Sequence, residues 1–117
     1  MIPRLFDGAL PVFNLGTNSG ASCDPKMRET VAAVLAASGQ TSVVDGRFKG
    51  GWITRFYGRP SEGVEALQLK LACRAYMEEP ERPALKNWPT PIDEQRATAT
   101  RVTIKRVLET ILEHVSR

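Results

Sequence analysis

Metal-ligating and redox-active side chains are scarce in this chain of 117 residues: it has one histidine, His114, and two cysteines, Cys23 and Cys73, with no Cys-x-x-Cys spacing. That scarcity argues against a metal or redox motif and makes reduced, buried thiols the default. No apolar run approaches the ~18 residues needed to span a bilayer. The start, Met1-Ile2-Pro3-Arg4-Leu5-Phe6-Asp7, lacks the charged-then-apolar order of a signal peptide. We read the protein as cytoplasmic, with no membrane partner. A net charge of +3, with acidic residues interleaved throughout, favours solubility over polyanion binding. The length fits one domain, 1–117, with a core that is real but not generous.

Against that sparse background stands one dense stretch, Asp45-Gly46-Arg47-Phe48-Lys49-Gly50-Gly51-Trp52-Ile53-Thr54-Arg55-Phe56-Tyr57-Gly58-Arg59-Pro60, with four cations, four glycines and four aromatics in sixteen residues. Glycine lets a backbone amide approach a ligand closely, and arginine forks onto carboxylate or phosphate. Three readings compete: a solvated turn between strands, a small-anion site, and an aromatic nucleic-acid strand. Against the RNA-recognition signature only Lys49, Gly50 and Phe56 fall in register, whereas Gly51, Trp52, Ile53 and Thr54 miss it. No nucleic-acid partner is therefore expected.

Leu10 to Gly16 reads as a strand opening into the polar loop Gly16-Thr17-Asn18-Ser19-Gly20. Asp24 and Pro25 read as the N-cap and first position of a helix carrying Met27, Val31, Val34 and Leu35, ended by Ser38-Gly39. Thr41 to Asp45 reads as a short buried strand, and Trp52 to Tyr57 as a second strand leaving the basic loop. In Val64 to Leu71, alternation puts Leu67, Leu69 and Leu71 on one face and Ala66, Gln68 and Lys70 on the other, as a wet edge or a site wall. Pro80, Pro83, Pro89 and Pro91 make 78–91 a stiff connector, with Trp88 expected to pin it to the body. Thr90, Pro91 and Asp93 then start a long amphipathic helix over 92–116, on the spacing of Ile104, Val107, Leu108, Ile111, Leu112 and Val115. His114 lies beside that stripe and is expected to be a helix-surface residue, not a metal ligand.

Leu5-Phe6-Asp7-Gly8, Leu10 through Asn18, Ser22-Cys23-Asp24-Pro25, Gly46 through Arg55, and Gly63 through Leu71 followed by Arg74, Tyr76 and Met77 occur in an order that resembles the C-terminal part of N-formylglutamate amidohydrolase, also called N-formylglutamate deformylase. The resemblance implies an α/β fold, part of a carboxypeptidase-like (phosphorylase/hydrolase-like) mixed sheet with flanking helices. It also implies a zinc hydrolase family that removes formate from N-formyl-L-glutamate in histidine degradation. Under it, Arg47, Lys49 and Arg55 are expected to grip the carboxylates of a small dicarboxylate such as N-formylglutamate or glutamate. Asn14, Thr17, Asn18 and Gln68 complete the expected substrate-binding set.

The departures from the family pattern carry equal weight. The family's zinc ligands lie in an N-terminal part that this chain does not contain, and a catalytic zinc takes about three protein ligands. We therefore expect no metal ligands and no cofactor in this chain. Family members commonly read Gly-Val-His-Ala-Leu-Gln-Leu-Glu-Leu where this chain has Glu65 for the histidine and Lys70 for the glutamate. By similarity that glutamate is the general base acting on zinc-bound water. A lysine within about 5 Å of Zn²⁺ is opposed by roughly 5 kcal/mol or more at an effective dielectric of ~20. Phe56 likewise replaces a usual histidine. The expectation is a truncated, degenerate amidohydrolase, inactive alone. Its rivals are a non-catalytic carboxylate-binding or regulatory module and one half of a split zinc amidohydrolase. Surface left uncovered by a missing half points to a homodimer or a substituting N-terminal half as partner.

Overall fold

The structure is a computed structural model describing residues 9–116, so the Leu5-Phe6-Asp7-Gly8 motif lies outside the described residues. Strand β1 (Phe13–Gly16) is the centre of a three-stranded mixed sheet, with β2 (Ser42–Val44) parallel on one side and β3 (Gln68–Leu71) antiparallel on the other. The register sets Asn14 opposite Val43 and Lys70, and Leu15 opposite Val44 and Leu69. Because side chains alternate along a strand, Phe13, Leu15, Val44, Leu69 and Leu71 share one face, and Asn14, Val43 and Lys70 share the other. β3 is shorter than the alternation from Val64 suggested. The backbone at 64–66 bonds to Arg59 and Ser22 instead of to β1.

Helix α1 (Pro25–Ala36) begins as its sequence requires: the Asp24 carboxylate accepts from Lys26 N, and Pro25 takes the first turn. Met27, Val31 and Leu35, one per turn, join Phe13, Leu15, Cys23 and Val107 in the core. The last helix runs Glu94–Val115, capped by the Asp93 carboxylate accepting from Gln95 N and Arg96 N. Thr100 Oγ1 donates to Ala75 O and Arg96 to Met77 O, which fasten its first half to the short 3₁₀ turn Cys73–Ala75 and the residues just after it. Only part of its apolar stripe is covered. Val107 is buried and Ile104 and Ile111 half-buried, but Leu108, Leu112 and Val115 are each more than half exposed. At 1.5 Å per residue a 22-residue helix is about 33 Å long, far longer than a four-residue strand.

The predicted strand Trp52 to Tyr57 is instead a helix, α2 (Gly51–Tyr57), which makes Glu94–Val115 α3. Gly50, at φ 115°, turns the chain into it, and a Cβ there would lie 2.6 Å from Thr54 Oγ1. Thr54 is the one buried residue of α2 and donates to Gly50 O. Trp52 and Phe56, four apart, stack at 4.5 Å, a pairing that helical spacing allows and strand alternation does not. The aromatic content pointed to a strand, but local geometry decided for a helix. The connector 78–91 is tied at its ends by Thr90 Oγ1 to Glu78 O and by the Met77–Ile92 bridge. Trp88 is 39% exposed.

Candidate functional site

Two loops at the end of β1 and β2 are clipped together by one carboxylate. Thr17, fully buried, donates to Asp45 from its backbone N–H at 2.7 Å and again from its hydroxyl. Arg28, reaching from α1, pairs with the same carboxylate at 3.1 Å and donates to Thr17 Oγ1 at 3.1 Å. Burial pushes the Asp45 carboxyl up, but the donors from Thr17 and Arg28 outweigh it and hold the group below its ordinary value. Gly16 adds a close approach, since a Cβ there would stand 2.7 Å from Gly50 N. The glycine and the clip together press the basic loop onto the end of the sheet.

Behind that clip, the polar sheet face opens into a cavity of about 730 Å³, whose wall includes Asn14, Val43, Arg47, Phe48, Lys70 and Arg74. The Asn14 amide holds Phe48 by both backbone groups, donating to its carbonyl at 2.6 Å and accepting from its N–H at 3.4 Å. The Lys70 ammonium sits 3.8 Å from the centre of the Phe48 ring. The ring quadrupole attracts a cation placed over its face. The cavity also contains Glu79 and Cys73, with Arg74 donating to Leu10 O.

Of the residues singled out from sequence, Asn14, Arg47 and Lys70 come together at this cavity. Thr17 lies inside the clip with its hydroxyl engaged by Asp45, Gly20 N and Arg28. Asn18 sits half-buried at φ 49°, its N–H donating to Lys49 O. Lys49, Arg55 and Phe56 are exposed, and Gln68 is half-buried opposite Gly16; none of the four is in the cavity wall. Sequence reasoning missed Phe48 and Arg74. Phe48 was visible within the basic loop, but its place under Lys70 depends on the pairing of Lys70 with Asn14, fifty-six residues away, and on the Asn14 amide that holds Phe48.

His114 is not the free helix-surface residue that its position suggested. Its Nε2 lies 3.1 Å from Glu65 Oε2, and both side chains are largely buried, at 19% and 13% exposure. The Cys23 thiol, pushed up to about 11 by burial and by the nearby Glu65 charge, is held in its neutral form. Neither cysteine is in a disulfide, and Cys23 is buried while Cys73 is half-buried. A catalytic zinc does not fit the cavity, where the cations Arg47, Lys70 and Arg74 face a wall offering Glu79 and Cys73 as its only metal-ligand types among the described residues.

The sequence model of the N-formylglutamate amidohydrolase family matches residues 1–77. N-formylglutamate deformylase of Pseudomonas aeruginosa is 49% identical over 112 residues, 95% of this chain and 40% of that protein. The Pseudomonas putida N-formylglutamate deformylase is also 49% identical over 112 residues, covering 39% of its length. The crystal structure of N-formylglutamate amidohydrolase from Ralstonia eutropha JMP134 resembles the whole chain with a TM-score of 0.73 at 30% identity, over 37% of its own chain. The chain thus spans about two fifths of these relatives' length, and it corresponds to their C-terminal part.

Proposed function

The chain belongs to the N-formylglutamate amidohydrolase family, and from that premise we propose that its cavity binds a small carboxylate of the N-formylglutamate or glutamate type without hydrolysing it unaided. The observation that carries this reading is Lys70: by register it stands beside Asn14 on the open sheet face, at the position where the family pattern has a glutamate. An ammonium cannot take a proton from water as a carboxylate does, yet it attracts the carboxylate that a glutamate would repel. Arg47 supplies a second cation at the mouth, and Asn14, Thr17 and Asn18 position the loops instead of touching the ligand. Lys49 and Arg55, both exposed, lie along the same basic stretch and favour approach of an anion. We place this activity in the cytoplasm.

Glutamate or N-formylglutamate in the millimolar range is expected to raise the melting temperature through preferential binding to the folded state. Arg47→Ala and Lys70→Ala should each remove most of that rise while leaving the ligand-free melting temperature within a few degrees. Equal stabilisation of wild type and both variants would mean that the ligand acts as a bulk salt. Formate release from N-formylglutamate at about 1 s⁻¹ or faster, a rate typical of enzymes, would overturn the non-hydrolytic part.

A further inference from the structure

Away from the cavity, and sharing none of its lining residues, Asp24, Glu65 and His114 meet from three separate parts of the chain: the cap of α1, the segment before β3, and the last turn of α3. One ligand atom from each lies within 4.8 Å of the others. His114 Nε2 and Glu65 Oε2 are 3.1 Å apart. Bonds of about 2.0–2.2 Å to a tetrahedral ion put neighbouring donors roughly 3.3–3.6 Å apart, so small adjustments bring this pair to ligand spacing.

The carboxylates are also held as ligands are held. Glu65 accepts from Asp24 N at 2.6 Å through Oε1, and Asp24 accepts from Lys26 N at 2.8 Å through Oδ1. Each is thus oriented by a backbone N–H on one oxygen. Glu65 turns its other oxygen to His114, and Oδ2 of Asp24 has no hydrogen-bond partner among the described residues. Backbone donors behind ligating carboxylates are the outer-shell arrangement that fixes metal ligands. Beside His114 is a recess of about 40 Å³ lined also by Lys26, Thr30, Thr110 and Glu113, roomy enough for a water.

We propose that Asp24, Glu65 and His114 form a structural site for a first-row divalent cation, with Zn²⁺ as the best-matched probe, which clasps the end of α3 to the start of α1. Two carboxylates and an imidazole are hard-to-borderline donors suited to such ions, and two negative charges neutralise the ion. The site shares no residue with the cavity wall and does not depend on carboxylate binding there.

Titration of the metal-free full chain with Zn²⁺ by calorimetry tests this, followed by thermal unfolding with and without the ion. One ion per chain is expected, with a rise in melting temperature. Glu65→Gln and Asp24→Asn keep the backbone hydrogen bonds and the helix cap, and each should weaken affinity at least tenfold, as should His114→Gln. Circular dichroism on the metal-free variants checks that they remain folded. If one variant fails to fold, the other two decide. Co²⁺ bound to wild type should give the visible absorption of a low-symmetry nitrogen and oxygen site, and His114→Gln should lose it. No saturable binding by wild type, or equal affinity in wild type and the folded variants, would overturn the proposal.

Discussion

The two faces of the sheet are built from alternate residues of the same strands, yet they do opposite things. On one, Phe13 and Leu15 are sealed beneath Met27, Val31 and Leu35 of α1 and Val107 of α3. On the other, Asn14, Val43 and Lys70 border an open cavity. Stability therefore rests on the first face and the proposed binding on the second, so residues one position apart in β1 answer to different demands. Asn14 belongs to both in part: it is almost fully buried, but its amide organises the cavity loop through Phe48. A charge such as Lys70 is tolerated where it is because solvent still reaches that face.

Transplanting residues 63–77 into the P. aeruginosa relative gives the largest contrast. Formate release should fall by about 10² to 10⁴-fold, the usual contribution of a positioned base, and glutamate at Lys70 with histidine at Glu65 should recover a measurable part. Full-speed hydrolysis with Lys70 in place would show that this face does not hold the catalytic position. On the sealed face, Phe13→Ala should cost about 3–5 kcal/mol by removing a fully buried ring, a large part of a small domain's stability, and denaturant unfolding would report it.

Asp45→Asn probes the clip at the strand ends, with an expected cost of about 1–3 kcal/mol from a buried carboxylate accepting from Thr17 N, Thr17 Oγ1 and Arg28. The substitution suits the backbone, since Asp45 sits at φ 50°, where asparagine is tolerated. Because the folded-state pKa of Asp45 lies below its unfolded value of about 3.9, its contribution is present above that pH and is lost as pH falls through the lowered folded value. Wild type should thus lose more stability than Asp45→Asn on acidification below about pH 4. Parallel unfolding curves across that range would remove Asp45 as the clip. The smallest effect belongs to the open face: Lys70→Ala should change ligand-free stability by under about 1 kcal/mol, the scale of an exposed cation–π contact.

The sealed face is legible in the sequence because its signals are local. Asp24 with Pro25 starts α1, Met27, Val31 and Leu35 recur once per turn, and Asp93 caps α3. α2 was misread because Trp52, Phe56 and Tyr57 favour strands in general, whereas the positive φ at Gly50 and Gly51 and the buried Thr54 favour a helix here. The open face was legible only in part. Arg47 stood out within the basic stretch and Lys70 as a departure from the family pattern, but Arg74 and the meeting of Phe48 with Lys70 depend on long-range packing. The meeting of His114 with Glu65 spans forty-nine residues and leaves no local trace.

Titration of the ¹⁵N-labelled chain with glutamate and N-formylglutamate, followed by amide chemical shifts, measures directly whether the open face is the binding face. Saturable changes should gather at Asn14, Gly46, Arg47, Phe48 and Lys70 and leave α1 and the core-facing side of the sheet undisturbed. Changes confined to Trp52–Tyr57 or to α1 and α3, or shifts that grow linearly without saturating, would contradict it.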